Sequence, residues 1–99
     1  LRRVFIPNAM SPNNDGINDF LEITVGPDVA EIEFVEVYDR WGGRVYKLDR
    51  PDLGGGIVRT WDGSFRGDPV NPGVYVFQAS VIFRDGYRLV YRGDITVIR

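Results

Sequence analysis

The sequence predicts an all-β fold, a sandwich of about seven antiparallel strands. Apolar and polar residues alternate with a period of two through most of the chain, which is typical of strands with one buried face. Turn-forming pairs such as Gly42-Gly43, Pro72-Gly73 and Asp85-Gly86 separate the alternating runs, and tight hairpins need such residues because their backbone takes positive φ. Short strands with regular punctuation indicate an immunoglobulin-like β-sandwich.

The predicted strands follow one another from the first residues to the last. They are Arg3–Ile6, Phe20–Val25, Glu31–Arg40, Arg44–Leu48, Ile57–Trp61, Val74–Phe83 and Tyr87–Arg99. In the last two strands the odd-numbered residues are mostly apolar, so we expect the odd face to lie in the core, Tyr87 included. The even face is expected to meet water, although it also carries apolar residues at Val76 and Val90.

The run Glu31–Arg40 breaks this parity, because Ile32 and Phe34 share one face while Val35 and Val37 share the other. Two interpretations remain open. A β-bulge between the pairs would turn both inward, or Phe34 stays outside as part of an adhesive surface.

Length and composition limit the classes of function. The 99 residues suffice for one domain, expected over residues 1–99. There is no cysteine and no histidine, which excludes disulfides, thiolate metal sites, cysteine catalysis and the commonest general base. The net charge of −2 supplies no field that would attract nucleic acid. No apolar run is long enough for a membrane helix.

The first residue is Leu1 rather than methionine. We therefore expect the chain to be a fragment of a longer secreted protein, with any export signal upstream.

Three stretches together resemble a known family. The first runs from Phe5 to Phe20 and reads FIPNAMSPNNDGINDF, and the second runs from Val37 to Gly42 and reads VYDRWG. The third joins Trp61-Asp62-Gly63 to the later sequence PGVYVF, residues 72–77. They are similar to the gliding-motility-associated C-terminal domain, which is the type B sorting domain of the type IX secretion system. The resemblance covers essentially the whole chain, and the family usually has phenylalanine at Met10, glycine at Asn14 and asparagine at Asp39.

The resemblance implies a C-terminal sorting domain rather than an enzyme. Such a domain directs its parent protein through the periplasm and across the outer membrane to the cell surface. The implied partners are the type IX outer-membrane translocon and a β-barrel outer-membrane protein. We expect a monomer, with pairing along the last strand as the most plausible route to a dimer.

We expect partners to read a folded surface. The candidate recognition residues are Arg40, Trp41, Asn13, Asp15, Asn18, Asp19, Arg88 and Arg92. An arginine beside a hairpin tip can reach a carboxylate or carbonyl of a partner. The equal alternative for Arg40 is a link to a neighbouring strand or stacking on Trp41.

The loop after the first strand is the candidate metal site. Against the calcium-loop spacing, ligands would come from Ser11, Asn13, Asp15, Ile17, Asp19 and Glu22. The favoured alternative is an Asx-turn loop whose side chains hydrogen-bond its own backbone. Calcium is therefore a hypothesis for this loop.

A second class of function is a structural or adhesive immunoglobulin-like module, with calcium-dependent carbohydrate binding on exposed rings. Trp41 and Trp61 are the candidate rings, but we expect both to be packing residues, because each lies one or two residues before a glycine whose backbone a large ring can cover. Catalysis is not expected, since Ser11, Ser64 and Ser80 have no histidine to activate them.

Overall fold

The computed structural model describes residues 3–13, 16 and 18–98. In these residues the strands are β1 (Val4–Phe5), β2 (Ala9–Met10), β3 (Glu22–Val25), β4 (Val29–Tyr38), β5 (Arg44–Asp49), β6 (Ile57–Arg59), β7 (Ser64–Phe65), β8 (Asp68–Pro69), β9 (Gly73–Phe83) and β10 (Arg88–Val97). The all-β prediction is confirmed. No helix in the described part of the chain is long and apolar enough to span a membrane.

The strands form two main sheets that enclose the core. One sheet has the order β1-β3-β6, and the larger has the order β2-β10-β9-β4-β5, while β7 and β8 form a separate short hairpin. This arrangement fits the predicted immunoglobulin-like sandwich. The predicted number of strands was too low, because β2, β7 and β8 have two residues each and so are too short to show an alternating pattern.

The expectation that all strands are antiparallel is wrong at one place. β2 runs parallel to β10, with Ala9 beside Thr96 and Met10 beside Val97. β1 pairs with β3 in the smaller sheet, and β2 then pairs with β10 in the larger sheet. Pro7 lies between β1 and β2. Proline cannot donate a ladder hydrogen bond, so the strand is interrupted there and the chain crosses between sheets.

Two apolar clusters fill the space between the sheets. The first consists of Ile23, Val25, Val29, Ile32, Val35, Val58, Ala79, Val81 and Phe83. The second consists of Met10, Leu21, Val37, Trp61, Tyr75, Phe77, Ile95 and Val97. The first cluster draws on strands of both main sheets, and the second joins strands of the larger sheet to Leu21 and Trp61, which lie next to β3 and β6. Burial of these side chains therefore holds the two layers together.

The alternation predicted for β9 and β10 is confirmed along most of both strands. Odd-numbered residues from Tyr75 to Phe83 are buried, as are Ile95 and Val97. Tyr87 is an exception, because its side chain is 50% exposed. Its carbonyl accepts a hydrogen bond from the Phe83 amide at 2.8 Å, so Tyr87 closes the hairpin beyond the end of the core.

The parity break in β4 is a β-bulge. The register against β9 shifts between Ile32 and Phe34. Ile32, Val35 and Val37 are all fully buried, whereas Phe34 remains partly exposed. Each interpretation therefore holds in part: the bulge turns one residue of the first pair inward, and Phe34 stays outside.

The chain enters the fold near the end of β9. The Arg3 carbonyl accepts a hydrogen bond from the Gly26 amide at 2.9 Å. Nearby, Val29 pairs with Phe83, and the Arg84 amide donates to the Asp28 carbonyl at 2.8 Å. We call this the entry end of the sandwich.

Candidate functional site

Several termini of strands meet at the opposite end of the sandwich. Tyr38, at the end of β4, pairs with Val76. Val97, at the end of β10, pairs with Gly73 at the start of β9 and with Met10 in β2. We call this the motif end, because each of the three stretches that carried the family resemblance has a residue there, namely Met10, Tyr38 and Gly73.

The β4–β5 turn at the motif end is fixed by Asp39. Its carboxylate Oδ1 accepts hydrogen bonds from the backbone amides of Trp41 at 2.9 Å and Gly43 at 2.8 Å. The Asp39 amide also donates to the Gly43 carbonyl at 2.8 Å. Gly42 takes φ of 85° in this turn, a conformation that L-residues with a Cβ rarely adopt. The tip of the turn is therefore held by the hydrogen bonds between its backbone amides and the Asp39 carboxylate.

This turn presents an indole ring to solvent. Trp41 is 86% exposed, so the expectation that it is a packing residue is wrong. The guanidinium of Arg40 lies 5.8 Å from the centroid of the Trp41 ring, which agrees with the predicted alternative of stacking. A fixed, exposed tryptophan beside an arginine combines two residue types that dominate binding energy at protein interfaces.

A cleft of about 220 Å³ lies beside the exposed ring. Its lining residues are Asp39, Arg40, Trp41, Asn71, Pro72, Gly73, Val74 and Tyr75. Two of the sequence motifs, separated by some thirty residues, thus form one surface. The phenol of Tyr75 donates to the Asn71 carbonyl at 2.7 Å and so fixes the far wall.

The sequence did not indicate Asn71 as part of this site. The adjacent Pro72-Gly73 pair marked a turn at this position. It did not show that this turn faces the β4–β5 turn, which depends on the register between β4 and β9.

The Trp61-Asp62-Gly63 part of the third stretch supports the wall of the cleft at Tyr75. Trp61 is fully buried, its indole N–H donates to the Ser64 carbonyl at 2.8 Å, and its ring centroid lies 5.3 Å from that of Tyr75. The prediction that Trp61 is a packing residue is confirmed. The Asp62 carboxylate accepts the Ser64 amide at 3.0 Å, as expected for a turn cap.

The first stretch packs against the turn that contains Gly63. A Cβ placed on Gly63 would lie 2.8 Å from Cγ of Pro12 and 3.4 Å from Cε of Met10. Gly63 therefore allows close approach of Met10 and of Pro12 at the start of the Ser11–Glu22 loop. All three motifs meet around the second apolar cluster.

The described part of the Ser11–Glu22 loop is organised by backbone hydrogen bonds. The two carboxylate oxygens of Asp19 accept the amides of Asn13 at 3.1 Å and Gly16 at 2.8 Å. The Ser11 amide donates to the Asn18 carbonyl at 2.8 Å. These contacts are those of an Asx-turn loop.

The calcium hypothesis receives no support from the other end of this loop. Glu22 forms an ion pair with Arg59, with Oε2 3.0 Å from Nε. Among the described residues no three carboxylates cluster in a way that could hold a metal ion. Asp15 and Ile17, two of the predicted ligands, lie outside the described residues. Calcium binding at this loop stays a prediction.

The predicted recognition residues do not all lie together. Arg40, Trp41 and the loop that follows Met10 share the motif end, whereas Arg92 pairs with Gln78 halfway along β9. Arg88 is further away, beside Ile82. Arg88 and Arg92 are exposed on the outer face of the large sheet.

Arg88 is held in place by Glu33. Its Nε lies 2.7 Å from Oε1 of Glu33, and Nη2 lies 3.2 Å from Oε2. The hydroxyl of Ser80 also donates to Glu33 Oε1 at 2.7 Å. The hydrogen bond from Ser80, together with Arg88, lowers the pKa of Glu33 from its ordinary value of 4.5.

Glu33 should make the stability of the domain depend on acid. Its folded-state pKa is depressed, so its contribution is present above the unfolded pKa, about 4.5, and is lost as pH falls through the folded value. We expect wild type to be more stable than Glu33→Gln at pH 7 and the two to converge in acid. Urea denaturation between about pH 3 and 7 measures this. A difference that does not vary with pH would contradict the assignment.

The model of the CHU_C Type IX secretion signal domain family matches residues 4–97. The chain belongs to this family. The family match confirms the resemblance seen in the three motifs, and it supports a sorting-signal role in type IX secretion. No curated protein matches the sequence.

One solved structure shows that the fold is shared more widely. The crystal structure of CopC from Methylosinus trichosporium OB3b superposes with a TM-score of 0.63 over 96% of this chain and 93% of that chain. The identity is 14%, so the likeness concerns the fold alone. What this type IX secretion signal domain does must be argued from its own surface.

Proposed function

We propose that this domain carries its parent protein across the outer membrane to the cell surface, and that the translocon and a β-barrel outer-membrane partner read the folded motif end. The observation that carries the proposal is that all three family motifs meet around the second apolar cluster, next to the exposed β4–β5 turn. Their buried members, Met10, Trp61 and Tyr75, build the support, and their exposed members, Arg40 and Trp41, face solvent.

The composition of the cleft favours recognition of a folded surface over recognition of a linear sequence tag. The cleft joins residues from two distant segments, so it exists only in the folded state. The ring of Trp41 offers a large apolar area with few rotatable bonds, and Arg40 offers directed hydrogen bonds. A partner that buries both would desolvate them completely, which is the usual setting of a binding hot spot.

The alternative of a carbohydrate-binding adhesive module has less support. It predicts aromatic rings exposed on one face, and of the two candidate rings Trp61 is fully buried. Trp41 remains available, but its neighbouring cleft is shaped by a turn rather than by a second aromatic platform.

A reporter carrying a signal peptide and fused ahead of this chain tests the proposal in a bacterium with a type IX system. We expect surface delivery of the wild-type fusion and loss of delivery in a translocon mutant. The double variant Arg40→Ala, Trp41→Ala should lower delivery at least about tenfold, which corresponds to about 1.4 kcal/mol of binding energy. Surface labelling and periplasmic fractionation measure it.

The matched control is Ile57→Ala, which removes another exposed apolar side chain, 61% exposed on the smaller sheet. Both variants should keep the wild-type melting temperature, since neither residue is buried. Normal delivery of the double variant would refute recognition at the motif end.

A further inference from the structure

The β7–β8 hairpin carries an arginine in a backbone conformation that disfavours it. Phe65 pairs with Asp68, so Arg66 and Gly67 form the turn, with φ of 55° and 85°. Two-residue turns with positive φ at both positions prefer asparagine, aspartate or glycine at the first, because the Cβ of other residues is crowded there. Arg66 is exposed, so packing does not compensate. An unfavourable residue at an exposed turn points to a role outside folding.

A second arginine of the chain shows what Arg66 lacks. Arg50 also takes positive φ, 44°, but it forms an ion pair with Glu31 at 3.2 Å inside the domain. Among the described residues no carboxylate pairs with Arg66. Its guanidinium lies 5.0 Å from the centroid of the Phe65 ring, and that ring is 41% exposed. The hairpin therefore presents a ring and an arginine together to solvent.

A second cleft places this hairpin at the motif end. The cleft measures about 310 Å³ and is lined by Asp39, Val45, Phe65, Asp68, Pro69, Val70, Asn71 and Tyr75. Asp39, Asn71 and Tyr75 also line the cleft beside Trp41. The two clefts therefore meet along these three residues, and Trp41 and Phe65 belong to one continuous surface.

The two clefts carry the same combination of side chains. We call Trp41 with Arg40 the first anchor and Phe65 with Arg66 the second anchor. The Arg40 guanidinium lies 5.8 Å from the centroid of the Trp41 ring, and the corresponding distance in the second anchor is 5.0 Å. Aromatic rings and arginines are the residue types that contribute most to binding at protein interfaces.

The second anchor is attached to the core through Trp61. The buried indole donates to the Ser64 carbonyl at 2.8 Å, at the start of β7. After β8 the Val70 amide donates to the Gly63 carbonyl at 3.0 Å, which closes the base of the hairpin. The Trp61 ring also contacts the ring of Tyr75, which lines both clefts. The two anchors therefore share one support.

The arginines of the anchors determine the chemistry of a surface that fits them. Five other basic side chains pair with described carboxylates, namely Arg44, Lys47, Arg50, Arg59 and Arg88, whereas Arg40 and Arg66 pair with none. A partner that covers the two rings also covers these guanidinium groups, and burial of an unpaired charge is costly. A carboxylate fits a guanidinium because it accepts two parallel hydrogen bonds. The fitting surface therefore places a carboxylate beside each ring.

The carboxylates that line the clefts do not meet this need. Oδ1 of Asp39 already accepts the backbone amides of Trp41 and Gly43. Asp68 lies opposite Phe65 in the hairpin, and it forms no ion pair with a basic residue in the described part of the chain. Acceptors for the two arginines therefore come from a partner.

We propose that Phe65 and Arg66 are specificity-determining residues of the sorting domain, and that the outer-membrane protein that contacts the first anchor also contacts the second and presents a carboxylate to each arginine. The inference rests on the proposed function and names the chemistry of the partner that reads the motif end. Two anchors at a fixed spacing discriminate between partners, because a surface that satisfies only one arginine leaves the other buried and unpaired.

Arg66→Asn separates recognition from folding, because its two expected effects have opposite sign. Asparagine is favoured at this turn position, so the melting temperature should rise by about 2–6 °C. Surface delivery of the reporter fusion should fall at least about fivefold, because the second anchor loses its charge. Delivery at the wild-type level, or loss of delivery together with a lower melting temperature, would overturn the proposal.

Arg50→Asn is the matched control for this change. It replaces another exposed arginine of positive φ, at the end of β5 and outside both clefts. Delivery of this variant should equal that of wild type. A loss as large as that of Arg66→Asn would overturn the assignment of the effect to the second anchor.

The charge at position 66 tests the chemistry of the partner. Arg66→Lys keeps a cation and should keep delivery within about threefold of wild type, whereas Arg66→Glu opposes a carboxylate and should lower delivery at least about tenfold. Equal delivery of the two variants would overturn the proposal. The isolated domain is also mixed with vesicles of phosphatidylcholine and phosphatidylglycerol, and we expect wild type and Arg66→Glu to sediment alike. Sedimentation that Arg66→Glu abolishes would assign the arginine to lipid phosphates instead.

This inference and the proposed function fail separately. Normal delivery of the double variant Arg40→Ala, Trp41→Ala would refute recognition at the motif end as a whole. Loss of delivery in that variant, with normal delivery of Arg66→Glu, would leave the motif end as the recognition surface and overturn only the second anchor.

Discussion

Deleting residues 95–99 should unfold the domain and leave a fused reporter in the periplasm. The deletion removes Ile95 and Val97, whose side chains are fully buried. It also removes both residues with which β2 pairs. Loss of one large buried aliphatic side chain typically costs about 2–5 kcal/mol, and the total stability of a domain of this size is about 5–15 kcal/mol. Circular dichroism melting of the isolated domain and fractionation of the fusion measure the two effects.

The control is a shorter deletion that begins at Ile98. It leaves β10 complete and, among the described residues, removes the hydrogen bond from the Ile98 amide to the Met10 carbonyl at 2.9 Å. That loss costs about 1 kcal/mol, so the fold and the export should persist. Normal export of the longer deletion, or failure of the shorter one while still folded, would favour a linear signal over a folded surface.

Trp61→Ala should be the most destabilising single substitution in the second apolar cluster. The indole is fully buried, contacts the Tyr75 ring and donates to the Ser64 carbonyl. Replacing a buried tryptophan by alanine typically costs about 3–5 kcal/mol, because a cavity remains. Chemical denaturation of wild type and variant gives the difference in free energy of unfolding.

Trp41→Ala is the matched control for the same change of side chain. Its ring is exposed, so the free energy of unfolding should change by less than about 0.5 kcal/mol. The two tryptophans should thus separate stability from recognition: Trp61→Ala lowers both, and Trp41→Ala lowers only delivery. Similar destabilisation by both substitutions would contradict the positions of the two rings.

The long strands could be predicted from the sequence because the alternation of apolar and polar residues shows which face of each strand is buried. Tyr75, Phe77, Val81 and Ile95 follow the period of two, and each is buried where that period places it. The family could also be read from the three motifs.

The remainder depends on interactions between distant segments. Trp41 lies one residue and Trp61 two residues before a glycine, yet one ring is exposed and the other buried, because Trp41 lies at the tip of the β4–β5 turn whereas Trp61 packs against Tyr75 in the second apolar cluster. The parallel pairing of β2 with β10 depends on where the chain ends the pairing of β1 with β3. A strand of two residues cannot encode that position locally. Likewise, no local pattern places the Asn71 turn opposite Asp39.

The separation of the entry end from the motif end bears on what can precede the domain. Arg3 lies near Phe83, at the far end of β9 from Gly73, and the long axis of the molecule measures 39 Å. A passenger joined ahead of Arg3 would therefore be attached at the entry end, opposite the end that carries Trp41. We therefore expect passengers of very different size and shape to leave the Trp41 indole accessible to a partner.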